Sequence, residues 1–167
     1  MRIFFGLVVW AWNLFGGVAG EVPLSDPSTD KAIDEQLYIA AVRSFQGGHW
    51  GTSASWLKAF IQQPANSDWR SRAVLLLSQA YFQQGEFKEA YAVLSNDRHV
   101  AGPLADEFLF WMAECRTGQG NLEAASDHYR EFLREYPESS RRAEAIVALA
   151  NVSARQKDWV KVVEHLQ

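Results

Sequence analysis

"LLLSQAYFQQGEFKEAYAVL", residues 75–94, is the stretch whose reading decides the fold. Leu77, Ala80 and Tyr81 recur at helical spacing before "QQGE", and Phe87, Ala90 and Leu94 do so after it. The turn is tight enough for the two helices to pair as an antiparallel hairpin. Gly85 supplies the backbone freedom to end the first and reverse the chain.

The same arrangement returns along the chain. The turns read "QGGHW" (46–50), "QQGEF" (83–87), "GQGNL" (118–122) and "RQKDW" (155–159), so Trp50, Phe87, Leu122 and Trp159 open second helices at intervals of 37, 35 and 37 residues. Three residues after each anchor stands a small or short side chain: Ser53, Ala90, Ala125 or Val162. Seven residues after it stands a larger one: Leu57, Leu94, Tyr129 or Leu166. The small residue lets paired helices approach, and the larger one fills the space a turn later. "AFIQQP" at 59–64 answers "EFLREYP" at 131–137, with proline stopping each second helix. Pro64, Pro103 and Pro137 all fall at breaks, and no stretch alternates with period two. The chain reads as all-α, a row of hairpins that bury their apolar stripes by stacking on one another.

This pattern resembles the tetratricopeptide repeat, a helical hairpin with a period of about 34 residues. The match is fullest at 75–94. At 109–137 it runs through Met112, Ala113, Gly120, Leu122, Ala125, Phe132 and Pro137, with Arg116 where an aromatic is usual. The unit at 37–64 is looser, and the fourth has Lys157–Asp158 in place of a turn glycine. The resemblance covers roughly residues 34–167 and implies a right-handed superhelical α-solenoid whose concave face is lined by the first helix of each unit. The implied groove residues are Tyr38, Val42 and Phe45, then Arg72, Leu75, Gln79 and Phe82, then Glu107, Phe110 and Glu114, and last Glu144, Val147, Asn151 and Arg155. Aromatics mixed with both signs of charge suit a peptide or partner helix. Packing against the neighbouring repeat is an equal expectation for Phe45 and Phe82.

"YREFLREYPESSRRAEAIVALA" is similar to the tetratricopeptide proteins of the bacterial cell envelope, those of the barrel-assembly and Tol-Pal systems among them. The start of the chain agrees. Residues 1–20, "MRIFFGLVVWAWNLFGGVAG", have a basic start, an apolar run and a small-residue end, the order of a signal peptide cleaved before Glu21. An inner-membrane anchor over residues 3–20 is the rival reading. No cysteine adjoins the cleavage site, so a lipid-modified amino terminus is not expected. Residues 21–30, "EVPLSDPSTD", read as a flexible linker in which Asp30 could cap the first helix, and 31–167 as the repeat domain. Its fourth hairpin is expected to be incomplete, ending in the uncapped stripe of Trp159, Val162, Val163 and Leu166.

Little points to chemistry. Net charge is −4 with Lys and Arg scattered, which argues against a nucleic-acid footprint. Cys115 is the only cysteine; it excludes an internal disulfide and reads as a small core residue. His49, His99, His128 and His165 lie far apart in the chain, and Asp127–His128 point different ways on a helix, which makes surface histidines the expectation rather than metal ligands. Glu107 and Glu114 share a helix face as an ordinary carboxylate pair. No catalytic residue, cofactor or metal is expected. The function expected is that of an exported protein-binding scaffold. The alternatives are an outer-membrane assembly factor, or the amino-terminal module of a larger envelope protein with a further, possibly catalytic, region.

Overall fold

The computed structural model describes residues 27–63 and 67–158, with side chains from Glu35 in the first segment and from Trp69 in the second. The signal segment, residues 21–26 and the stripe from Trp159 onward lie outside the described residues. Among the described residues, seven α-helices follow one another: α1 (Pro27–Gln46), α2 (Trp50–Ile61), α3 (Ser67–Gln83), α4 (Phe87–Asn96), α5 (Ala105–Gly118), α6 (Leu122–Glu135) and α7 (Arg142–Arg155). No strand occurs among the described residues. Each helix packs on the next, so α1–α2, α3–α4 and α5–α6 are hairpins stacked in a row and α7 opens a fourth. The all-α solenoid expected from the repeat is observed.

One boundary differs. α1 starts at Pro27, inside the stretch read as linker, so residues 27–30 are helical and Asp30 is no cap. Proline suits a first helical position, because its missing N–H would have had no partner there and its fixed φ is already helical. Here the proline marks a helix start and not a linker.

The turns repeat atom by atom. Gly48, Gly85 and Gly120 adopt φ of 75°, 77° and 75°. In each turn the glycine N–H bonds back three residues, as Gly85 does to the Phe82 carbonyl at 2.9 Å. The next N–H bonds back five: His49 to Ser44, Glu86 to Tyr81 and Asn121 to Arg116. This paired closure satisfies carbonyls that the helix end leaves open. The fourth turn has the same bonds, Lys157 to Ala154 and Asp158 to Ser153. There Lys157 takes φ of 60° where its counterparts are glycines. The unit lacking the glycine therefore keeps the turn, at the steric cost of a left-handed lysine.

The close-approach positions behave as their spacing predicts. Ser53, Ala90 and Ala125 are fully buried, as are Leu57, Leu94 and Tyr129 one turn later. Ser53 is polar at a site its counterparts fill with alanine, and its Oγ donates to the Ala41 carbonyl at 2.9 Å. Buried groups form three apolar clusters. One joins the first two hairpins around Leu57, Phe60, Leu77 and Tyr81. A second joins the second and third hairpins around Val74, Leu94, Phe108 and Met112. The third lies under α7 around Phe110, Tyr129, Phe132 and Leu149. Two 3-10 turns, Arg98–Val100 and Gly102–Leu104, carry the chain from α4 to α5 and tuck Ala101 into the middle cluster. Cys115 is buried, and burial pushes its thiol up to about 12, consistent with a packing role.

Candidate interaction groove

First helices approach one another more than second helices do. α3 packs directly on α1 and on α5, beyond any direct packing of α2 with α4 or α4 with α6. α1, α3 and α5 thus form the closer, inner layer of the stack, and α7 meets α5 through Arg155 and the Thr117 carbonyl.

Their surroundings differ from unit to unit. In the first, Tyr38 is half-buried between Phe60 and Trp69, with ring centroids at 5.5 and 4.9 Å. Burial raises its hydroxyl pKa, with Arg72 opposing. Val42 is half-buried, and Phe45 stacks edge-on against Trp50 at 4.8 Å. In the second, Arg72 is exposed with its guanidinium 5.8 Å from the Trp69 ring, and Gln79 is half-buried. Leu75 packs into the middle cluster. Phe82 lies against Phe87 at 5.0 Å and Trp111 at 5.3 Å, so it joins two repeats.

The third unit departs from expectation. Phe110 is 1% exposed, packed on Tyr129 and Phe132, and belongs to the core. Arg141, at the start of α7, covers it: Nε donates to Glu107 at 2.8 Å and Nη1 to Glu144 at 2.7 Å, which holds the guanidinium 4.8 Å from the Phe110 ring. Glu114 accepts a hydrogen bond from the buried Tyr129 hydroxyl. Burial and then Glu114 keep that phenol protonated, so it remains a donor. Glu107 and Glu114 are therefore structural partners rather than a free carboxylate pair, and Phe110 cannot meet a partner while α7 stays docked.

The last unit is open. Val147 is 52% exposed and Asn151 is exposed. Arg155 reaches back to the Thr117 carbonyl at 3.4 Å. What the structure leaves accessible on the inner layer is Arg72 beside Trp69, which is 44% exposed, and the Val147–Asn151–Arg155 face. Trp69, Trp111 and Arg141 were missed. Trp69 could have been found, since 69, 72, 76, 79 and 83 mark one helical face. His128 is corrected too, being half-buried rather than on the surface.

Among the described residues, no three His, Cys, Asp or Glu side chains converge as metal ligands, and no helix is long and apolar enough to cross a membrane.

A search of curated proteins gives no match. Residues 107–139, covering most of α5 and all of α6, match the family model for the tetratricopeptide repeat. That match falls on one of the hairpins whose turn and close-approach residues recur along the chain.

Proposed function

We propose that this chain is an exported scaffold of the bacterial cell envelope, without catalysis of its own, that binds a peptide or partner protein along the inner layer of its helices. The observation that carries this reading is the accessible pairing of Trp69 with Arg72 on that layer. Tryptophan and arginine are the residues that most often dominate protein interfaces. Tetratricopeptide stacks generally serve as protein-binding modules, and a stack of hairpins offers an extended surface suited to an extended ligand. Export rests on the order of charge, apolar run and small residues in positions 1–20.

Two measurements test the proposal. Intact mass of the protein from an envelope fraction should give an amino terminus at or within two residues of Glu21; a mass retaining residues 1–20 would mean an anchor instead. With a captured partner, Arg72→Ala should weaken affinity by about 1–2 kcal/mol. Lys88→Ala, exposed on a second helix, should leave affinity unchanged. Equal losses from both would defeat an inner-face site.

A further inference from the structure

A covering residue recurs along the inner layer, and the last unit lacks one. Tyr38, Leu75, Phe110 and Val147 occupy one position of the repeat, at intervals of 37, 35 and 37 residues. Each of the first three is met by a residue at the start of the following first helix: Trp69, Leu104 and Arg141, themselves 35 and 37 residues apart. Trp69 lies edge-on to Tyr38, with ring centroids at 4.9 Å. Leu104 and Leu75 both pack on the middle cluster. The Arg141 guanidinium lies 4.8 Å from the Phe110 ring. Val147 has no such cover among the described residues and is 52% exposed, whereas Phe110 is 1% exposed.

The third unit shows how a charged cover is held. Glu107 stands three residues before Phe110, as Glu144 does before Val147. Arg141 donates from Nε to Glu107 at 2.8 Å, and this ion pair keeps the guanidinium over the ring. A planar cation can satisfy a carboxylate at its edge while its stem and face shield an apolar side chain from water. The last unit has the same two parts with nothing laid across them. Arg141 engages Glu144 through Oε2 alone, and that side chain is 58% exposed. One guanidinium shared by Glu107 and Glu144 leaves a negative charge over. The nearby cations are turned elsewhere, Arg142 to the Leu133 carbonyl and Arg155 to the Thr117 carbonyl. One turn beyond Val147, the exposed Asn151 adds an amide oxygen that can accept a further N–H.

We propose that Glu144, Val147 and Asn151 form a docking position for an arginine side chain of a partner protein, which takes the place of the missing cover. This rests on the inner-face reading and specifies what the partner presents to the last unit. The guanidinium pairs with the remaining Glu144 oxygen and donates to Asn151 while its stem lies on Val147. Lysine fits less well, because a compact ammonium has no flat face to lay on the valine and no fork to span two acceptors.

The test displays random peptides to the full-length chain and sequences those retained. They should be enriched in arginine beside an apolar residue. For one such peptide, Glu144→Gln should weaken affinity about two- to fivefold, the scale of an exposed ion pair. Asn151→Asp should strengthen it by a similar factor, a gain that misfolding cannot produce. Glu123→Gln, which removes an exposed carboxylate on α6, should leave it unchanged. Arginine-free peptides whose binding still falls with Arg72→Ala would overturn this docking position and leave the inner-face reading standing. Binding that falls with Glu123→Gln as much as with Glu144→Gln, or no retained peptide at all, would overturn both. A dimer in sedimentation that Val147→Glu dissociates would put a second copy of this chain on the face, and would overturn the partner arginine as well.

Discussion

The two seams that join the first three hairpins are built from the same kinds of contact in opposite order. Between the first and second hairpins, Lys58 of α2 lies 5.0 Å from the ring of Tyr81 on α3. Between the second and third, the ring is Tyr91 on α4 and the cation is Arg116 on α5, at 3.7 Å. Arg116 occupies the position at which Tyr81 stands one unit earlier. What recurs is a cation over a ring across the seam, worth about 0.5–2 kcal/mol depending on exposure, and not the residue type at each position. The departure from the repeat pattern at Arg116 is therefore an exchange of partners.

The seams differ in what surrounds this pair. The second has additional ties: Gln119 Nε2 donates to the Phe87 carbonyl at 2.9 Å, whereas Gln84, its counterpart, bonds within its own helix to Ala80. The first seam has a tie of its own, from Arg70 of α3 to the Ile61 carbonyl of α2 at 2.8 Å, and the same guanidinium pins the end of α4 in its own hairpin through Asp97 at 2.8 Å. The second seam also has Arg98 on Glu131 at 2.8 Å and a half-buried histidine, His128.

The largest expected effect is at the core of the second seam. Phe108 is buried in the middle cluster, and Phe108→Ala should cost about 3–5 kcal/mol by cavity formation and lost burial. Urea denaturation measures it, and exchange protection should fall across α3–α5 before α1–α2.

A matched pair of glycines sharpens the contrast. A Cβ on Gly118 would fall 2.6 Å from the Phe87 ring, so Gly118→Ala should destabilise by about 1–3 kcal/mol. A Cβ on Gly51, at the first seam, would meet only the movable Gln84 side-chain oxygen at 3.3 Å. Gly51→Ala should then stabilise α2 by up to about 1 kcal/mol. Thermal melts of the two variants should move in opposite directions; shifts of the same sign would show that the seams are packed alike.

The smallest effect concerns the fourth turn. Lys157→Gly removes a left-handed lysine, and the relief of about 1 kcal/mol is partly offset by a more flexible unfolded chain. A melting temperature slightly above that of the parent chain is the expected result.

Much of this was legible in the sequence because hairpin geometry is local. Gly48, Gly85 and Gly120, the anchors Trp50, Phe87 and Leu122, and the buried Ser53, Ala90 and Ala125 follow from spacing within about ten residues. The groove was less legible because its exposure depends on residues of the next unit. Phe110 is buried by Arg141, 31 positions later, which also takes Glu107 and Glu144. His128 meets Tyr91 from 37 residues away, so neither its burial nor its partner can be read from Asp127 beside it. Trp69 is different: its helical phase with Arg72 and Gln79 is local and legible in the sequence.

Photocrosslinking in living cells puts the inner-face scaffold to the most direct test. A photoreactive residue would be placed singly at Arg72 or Asn151 on first helices, and at Glu89 or Glu123 on second helices, all four being exposed. One discrete protein adduct should form from Arg72 and Asn151 and be absent from Glu89 and Glu123. The same adduct from all four positions, or from the second-helix positions alone, would contradict binding along the inner layer.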